Sequence, residues 1–182
     1  MSSSPIEQRK IRLKNDHQSM VNIRCPWLQW TGTSGSEPYV ERYELDLTLR
    51  SIVGPGPEYL DKHRISVVLP PNYPHRRAPE VRYQGDPKPF HPNWFTDGRW
   101  CSGPWLFHES LGQHIIRMIQ TLQFDPHITD EDDPANLEAK SWYLQHKESG
   151  LFPCDQTALP DPTTGRLKIK SGIAKKTFNI KG

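Results

Sequence analysis

The alternation of apolar and polar residues predicts an antiparallel sheet in the first half of the chain. Extended chain begins after Pro26, and the residues from Tyr43 to Arg50 then alternate without a break, as in a strand with one buried face. Gly54 to Pro57 predicts a turn, and Arg64 to Leu69 and Glu80 to Tyr83 predict two further strands. No helical pattern separates these segments, so we expect a four-stranded antiparallel meander.

Helical periodicity marks the chain before and after these strands. Residues 6–22 predict an amphipathic N-terminal helix with its basic side chains in solvent. Its apolar positions are Ile6, Leu13, Met20 and Val21, and its basic positions are Arg9, Lys10, Arg12 and Lys14. Residues 111–122 carry an apolar stripe that we expect to face the sheet, and residues 135–147 predict another helix. The order of helix, strands, long loop and helices predicts one α+β domain.

The segment from Asp86 to Phe107 is a long loop of unusual composition. It contains four prolines and three tryptophans, and the aromatic side chains indicate an ordered loop rather than a disordered one. Loops longer than about 15 residues within a compact domain are usually functional. We therefore expect the chemistry of the protein to lie in this loop.

The composition is polar and argues against two classes of protein. The chain has 182 residues, a mean hydropathy of −0.76 and no run of about 18 apolar residues, which a membrane-spanning helix requires. The first residues lack the apolar core of a secretory signal. Cys25, Cys101 and Cys154 are too few and too scattered for a disulfide framework or a four-cysteine zinc site. We expect a cytoplasmic protein with reduced thiols.

Charge is distributed unevenly, although the net charge is only +2. Residues 163–182 carry six basic and no acidic side chains, which leaves 17 basic and 21 acidic side chains for the rest. We divide the chain into a main domain over residues 1–149 and a C-terminal extension over residues 150–182, basic at its end. A basic tail can contact nucleic acid or an acidic partner. No aromatic ladder or recognition helix accompanies it, which favours a solvated tail.

One cysteine of the long loop follows a distinctive triplet. His91-Pro92-Asn93 precedes Cys101, with eight residues from the asparagine to the cysteine. Asn72-Tyr73-Pro74 with Ala78-Pro79-Glu80-Val81 lies before it, and Asp132-Asp133-Pro134-Ala135-Asn136 lies after it. In these motifs and their order, residues 6–147 resemble the ubiquitin-conjugating enzymes. The resemblance implies the α+β fold of that family, with the active-site loop between the sheet and the C-terminal helices.

The resemblance also implies a role for each motif residue. Cys101 is implied to accept a ubiquitin-like protein from an activating enzyme as a thioester, and to pass it to a lysine of a target protein. Asn93 is implied either to stabilise the oxyanion or to hold the active-site loop, and the sequence favours neither role. Asp133 is implied to orient the incoming lysine or to help remove its proton. His91 and Pro92 are implied to support the loop.

Partners, but no cofactor, follow from the same resemblance. The activating enzyme consumes the ATP, so we expect neither a cofactor nor a metal ion here, and the histidines after the cysteine are too loosely spaced for a metal centre. In this family the N-terminal helix docks the activating enzyme. The candidate contacts are therefore Arg9, Lys10, Arg12 and Lys14.

Departures from the family pattern indicate a divergent member. Ser102 to Trp105 replaces the usual Leu-Asp-Ile-Leu after the cysteine, and the stretch from Cys101 to Pro126 is shorter than usual. His75 to Arg77 replaces the apolar residue that usually meets a ligase, so the need for a ligase stays open. Such a chain is similar to members found in bacterial operons beside an activating enzyme, a ubiquitin-like protein and a deconjugating protease, some of which act in antiphage defence.

Other interpretations of these residues stay open. Cys101 could be a small buried hydrophobe, and Asp130 to Asp133 could serve only as acidic residues before a helix. The fold could be an inactive module that binds ubiquitin-like proteins, although such variants typically lack the cysteine that this chain keeps. A cysteine hydrolase could use Cys101, His91 and Asn93. These three lie within eleven residues, however, whereas the histidine of a hydrolase usually comes from a separate element.

Overall fold

The computed structural model describes residues 4–161. They contain an N-terminal helix, a four-stranded antiparallel sheet, a separate two-stranded hairpin and three later helices. The helices are α1 (Pro5–Val21), α2 (Leu111–Leu122), α3 (Leu137–His146) and α4 (Pro153–Gln156). The strands are β1 (Leu28–Ser34), β2 (Arg42–Leu47), β3 (Ser51–Gly54), β4 (Glu58–Leu60), β5 (His63–Val68) and β6 (Glu80–Tyr83). The predicted α+β class and order of elements are confirmed. The basic segment 163–182 lies outside the described residues.

The main sheet has the strand order β1-β2-β5-β6, and every neighbouring pair is antiparallel. Trp30, Leu45, Ile65 and Tyr83 lie opposite one another in a row that crosses all four strands. Leu45 and Ile65 in the centre of this row are fully buried. One face of the sheet therefore forms the floor of the core, as the period-two alternation predicts.

The predicted strand from Tyr43 to Arg50 is too long. Strand β2 ends at Leu47, and β3 and β4 form a separate two-stranded hairpin around the predicted turn at Gly54 to Pro57. The alternation continues past Leu47 because Leu49 is also buried, in the same apolar cluster as the strand. Alternation reports burial, and it does not report which strand is the partner.

Helix α2 covers the sheet. Its apolar stripe is buried, with Leu111, Ile115, Met118, Ile119 and Leu122 all fully inaccessible. Helix α1 packs closely on the first turn of α2, where a Cβ on Gly112 would lie 2.7 Å from the carbonyl oxygen of Ser19. The backbone N–H of Gly112 donates to Ser19 Oγ at 2.8 Å, which fixes this close approach. Only glycine fits here without moving one of the helices.

Part of the polar face of α1 is directed inward, so the prediction of a solvated basic face holds for Lys10 and Lys14 but not for Arg9 and Arg12. Asp16 is 1% exposed, and its carboxylate accepts hydrogen bonds from Arg12 Nε at 2.7 Å, the Tyr73 hydroxyl at 2.6 Å and the Leu111 N–H at 2.9 Å. Arg9 donates to the backbone carbonyls of residues 69, 70 and 73. It also forms an ion pair with Glu41, the residue before β2. Arg9 and Arg12 therefore hold α1 onto the domain.

Two predicted apolar positions of α1 are exposed instead. Ile6 is 71% exposed and Val21 is 45% exposed, whereas Leu13 and Met20 are buried as predicted. Ile11 is also exposed, and so are Lys10 and Lys14. The outer face of α1 thus combines apolar and basic side chains, and hydrophobicity alone misplaces it because Asp16 and His17 occupy buried positions.

A second, largely aromatic cluster joins α3 to the C-terminal residues. Its buried members are Ile52, Phe90, Phe124, Ala139, Tyr143 and Phe152. The backbone N–H of Cys154 donates to the carbonyl oxygen of Gln123, so residues 150–161 pack on the domain and include the short helix α4, where we predicted an irregular chain. The predicted domain boundary at residue 150 stays a prediction. In residues 4–161, no helix is both long enough and apolar enough to span a membrane.

Helix α3 presents fewer apolar residues to the core than its sequence suggests. Ala139 and Tyr143 are buried, but Leu137 is 72% exposed and Leu144 is 40% exposed. The helix begins after Asn136, whose side chain accepts a hydrogen bond from the Ala139 N–H at 3.0 Å. This cap places the start of α3 directly after the acidic turn.

Candidate active site

Backbone hydrogen bonds at the edge of the sheet fix the position of Cys101. The N–H of Trp100 donates to the carbonyl oxygen of Val81 in β6, and the N–H of Cys101 donates to the carbonyl oxygen of Asn93 at 2.9 Å. Trp94 and Trp100 also form an isolated β-bridge across this loop. Part of the long loop, up to Trp100, therefore extends the β6 edge of the sheet. Cys101 lies at the end of this extension.

The cysteine opens onto a cleft of about 180 Å³. Asn93, Cys101 and Asp133 all line this cleft, together with Asp130 and Arg117. Cys101 is partly exposed, so its thiol is neither a core residue nor a fully solvated one. The structure brings the three predicted catalytic residues to one place.

The side chain of Asn93 connects the cysteine loop to the acidic turn. Its Oδ1 accepts the backbone N–H of Asp130 at 2.9 Å, and its Nδ2 donates to the carbonyl oxygen of the same residue at 3.0 Å. Asn93 is 3% exposed, so this pair of bonds is sheltered from water. The sequence left two roles open for Asn93, holding the loop and binding the oxyanion. These contacts match the first role.

His91 and Pro92 attach the same loop at further points. His91 is fully buried, and its Nδ1 accepts the backbone N–H of Asn93 at 2.9 Å. The carbonyl oxygen of Pro92 accepts the N–H groups of Ala135 and Asn136 at 2.8 and 3.0 Å. These bonds tie the triplet to the start of α3.

Burial keeps the His91 ring neutral. Desolvation lowers the pKa of His91 to about 3, so the ring is uncharged at neutral pH. Because Nδ1 accepts a hydrogen bond, the proton of the neutral ring lies on Nε2. The centroid of the His91 ring lies 4.3 Å from the centroid of the Phe124 ring. A histidine that is fully buried and engaged by the backbone is poorly placed to activate Cys101. This argues against the hydrolase interpretation.

The acidic turn supplies negative charge at the other side of the cleft. Asp130 Oδ1 accepts the backbone N–H groups of Asp132 and Asp133, which closes a tight turn. The side chain of Asp133 is exposed and lines the cleft, so its carboxylate is available to a positively charged ligand. The turn orders the backbone that carries Asp133.

A buried cluster that the sequence analysis did not identify adjoins the cysteine. Glu109 accepts two hydrogen bonds from Arg117, at 2.9 and 2.8 Å, and lies 3.0 Å from Nδ1 of His114. Burial alone would raise the pKa of Glu109, but the hydrogen bonds from His114 and Arg117 hold it at about 2. Desolvation lowers the pKa of His114. The signal in the sequence was the pair His114 and Arg117, the two ionisable residues of helix α2.

Neither of the other two cysteines lines the cleft. Cys25 is buried, and burial raises its pKa. Cys154 donates to the carbonyl oxygen of Phe124 at 3.1 Å, and burial raises its pKa to about 11. Both thiols therefore disfavour the reactive thiolate form. Within residues 4–161, no group of three histidine, cysteine, aspartate or glutamate side chains is placed to hold a metal ion.

Comparisons with known proteins give one informative result. No protein-family model matches the chain, and no curated protein matches it in sequence. Among solved structures, S. cerevisiae Ubc12 is similar, with a TM-score of 0.51 and 19% sequence identity. The match covers 75% of this chain and 71% of that chain. At this identity the likeness shows the fold alone, and the chain has a ubiquitin-conjugating fold.

Proposed function

We propose that the protein is a conjugating enzyme for a ubiquitin-like protein, with Cys101 as the acceptor of the modifier. The observation that carries this proposal is the position of the Cys101 thiol, in an open cleft beside Asn93 and Asp133 on a ubiquitin-conjugating fold. A carrier thiol must reach two large partners in turn, and a partly exposed cysteine at a sheet edge suits that task.

Two acyl transfers make up the proposed reaction. The Cys101 thiolate attacks the thioester carbonyl of the modifier on the activating enzyme, and the thiol of that enzyme leaves. The amine of a target lysine then attacks the new thioester, the Cys101 thiolate leaves, and an amide bond forms. The attacking amine must lose a proton, and the carboxylate of Asp133 is the acidic side chain on the cleft whose position suits that proton.

Asn93 supports the reaction as the link between the two loops of the cleft. Both polar ends of its side chain are engaged by Asp130, so its first effect is on the relative position of Cys101 and the acidic turn. A carboxylate that receives the lysine proton has to lie at a fixed distance from the thioester. The contacts of Asn93 support this positional role more directly than a role in binding the oxyanion.

The outer face of α1 is the proposed contact for the activating enzyme. Lys10 and Lys14 are exposed there beside Ile6, Ile11 and Val21, a mixture of charge and apolar area that suits a protein partner. Arg9 and Arg12, which the sequence also nominated, are engaged within the domain. The proposal therefore retains the two lysines as the steering charges. The sequence departures at His75 to Arg77 and after Cys101 support an origin in a bacterial conjugation operon and a role in antiphage defence.

Incubation with a cognate activating enzyme, its ubiquitin-like protein and ATP tests the proposal. We expect an adduct that thiol reductants release, and we expect Cys101→Ser to abolish it or to leave only a slower, thiol-resistant oxyester. Cys25→Ser and Cys154→Ser are the matched controls and should load normally. Binding of the modifier without an adduct would identify an inactive binding module, and peptide cleavage without ATP would identify a hydrolase. Loss of loading only in Cys25→Ser or Cys154→Ser would overturn the assignment of the site.

A further inference from the structure

The segment that joins Cys101 to α2 is fixed at its two ends. Residues 102–110 form no helix or strand. The far end is held where Arg12 donates to two of its backbone carbonyls. The near end, directly after the cysteine, is held where Arg117 Nη1 donates to the carbonyl oxygen of Ser102 at 2.6 Å. Arg117 therefore binds the peptide unit between Ser102 and Gly103, the second after Cys101.

Arg117 is itself held in a fixed orientation. Its Nε and Nη2 bind the two carboxylate oxygens of Glu109 at 2.9 and 2.8 Å, which is a two-point contact. His114 contacts the same carboxylate, and the Glu109 side chain is only 12% exposed. A planar guanidinium can satisfy this carboxylate and the Ser102 carbonyl together, whereas an ammonium group cannot reproduce the two-point contact.

The same two helical residues hold the residue before the cysteine. The guanidinium of Arg117 lies 5.1 Å from the ring centroid of Trp100, and the ring of His114 meets Trp100 edge-on at 4.9 Å. His114 and Arg117 are three positions apart on α2, so they share one face of the helix. Both chain neighbours of Cys101 are thus in contact with this face.

We propose that Arg117, anchored on Glu109, is a positioning residue that orients Cys101 toward the cleft. The N–H of Cys101 is held by the Asn93 carbonyl, and the Ser102 carbonyl is held by Arg117, so the backbone is fixed at Cys101 and again one residue further on. The importance of this orientation for lysine transfer rests on the proposed function. Displacement of a reacting group by about 1 Å can reduce a rate by about 100-fold, so release of this peptide unit should impair transfer.

Two measurements on a Cys25→Ser/Cys154→Ser background test the proposal. The first is the rate of Cys101 alkylation by iodoacetamide on the high-pH plateau of its pH profile, where the thiol is deprotonated in every variant; it requires neither modifier nor activating enzyme. The second is single-turnover discharge of the loaded protein to free lysine. In Arg117→Met we expect alkylation to accelerate about tenfold, because a charge-assisted hydrogen bond to the backbone beside the thiol is lost. We expect discharge to slow by about 100-fold in the same variant.

Two further variants separate positioning from loss of stability. Arg117→Lys keeps the charge without the two-point contact, and it should lie between the parent and Arg117→Met in both measurements. Ile52→Val removes a methyl group from the second cluster, and it should leave both rates within about twofold of the parent. Opposite changes in the two rates, confined to Arg117, support the proposal.

Unchanged alkylation in Arg117→Met would overturn it, whether or not the parent loads a modifier. Equal effects in Ile52→Val and Arg117→Met would also overturn it. If the parent fails to load, the proposed function fails, and the alkylation rates alone decide the role of Arg117.

Discussion

Asn93 binds both backbone polar groups of a single residue, Asp130, which follows it 37 positions later in the chain. The carboxamide accepts the Asp130 N–H at 2.9 Å and donates to the Asp130 carbonyl at 3.0 Å. A carboxamide has one acceptor and one donor group, and this geometry uses both. One side chain therefore provides two of the hydrogen bonds that hold the cysteine loop to the acidic turn, beside those that the Pro92 carbonyl accepts.

Asn93→Ala should weaken both stability and transfer. Loss of the side chain removes two hydrogen bonds to the Asp130 backbone, each of which contributes about 0.5–1.5 kcal/mol to the free energy of unfolding. We expect thioester formation to persist and discharge to lysine to fall by about 100-fold. Chemical denaturation and single-turnover discharge measure the two effects.

A proline at position 130 separates the loop-holding role of Asn93 from oxyanion binding. Asp130→Pro removes the N–H that Asn93 accepts, and Asp130→Ala is the control that loses the side chain but keeps that N–H. If Asn93 acts through this bond, Asn93→Ala and Asp130→Pro should each slow discharge. The double variant should then be slowed by less than the product of the two single effects. Additive effects would assign Asn93 a separate role at the oxyanion.

Asp133→Asn should slow discharge without a change in stability. The side chain is exposed, and the turn uses only the backbone N–H of Asp133, so the carboxylate can be neutralised without loss of a structural contact. We expect discharge to lysine to fall by about 100-fold, the lower end of a general-base contribution, with an unchanged denaturation midpoint. Normal discharge at saturating lysine would restrict Asp133 to the turn.

Charge reversal on the outer face of α1 should slow loading of the modifier. Lys10→Glu/Lys14→Glu leaves the internal contacts of α1 intact and should reduce the rate of thioester formation at low salt, because steering charges act on association. The salt dependence of that rate should also shrink. Lysine discharge from loaded protein should not change, because neither lysine lines the cleft.

Lys62→Glu is the control for this experiment, since it reverses an exposed charge elsewhere on the domain. It should load at the parental rate. Arg12→Glu is unsuitable as a test of docking, because it would place a carboxylate against the buried carboxylate of Asp16 and destabilise the domain. Parental loading by Lys10→Glu/Lys14→Glu at low salt would exclude the outer face of α1 as a steering surface.

Acidification should destabilise the protein in part through His91. The pKa of this buried histidine is lowered to about 3 in the folded chain, against 6.5 for an unperturbed histidine. Between these values the unfolded chain binds one more proton, so stability falls as the pH falls, by about 1.4 kcal/mol per pH unit. In His91→Gln, where the amide oxygen can still accept the Asn93 N–H, the slope between pH 5 and 6 should be smaller by that amount. Equal slopes would contradict neutral burial of His91.

The proximity of Asn93 and Cys101 is a consequence of local spacing. The loop from His91 to Cys101 is short enough for its own backbone hydrogen bonds to place Asn93 next to the cysteine. The Glu109 cluster was not predicted, because Arg117 and His114 have polar side chains on a helix and such residues usually face solvent. Their burial depends on a carboxylate from the preceding loop, whose position only the packed structure gives.

The sequence by itself determined the class of the fold and the bounds of α2, because apolar spacing is a local property. The tertiary structure alone decided which polar residues are internal. Arg12 is held by Asp16 because that carboxylate also receives the Leu111 N–H from 95 residues away. A polar residue is buried only when its partners are in place, and such distant partners come together only when the chain is folded.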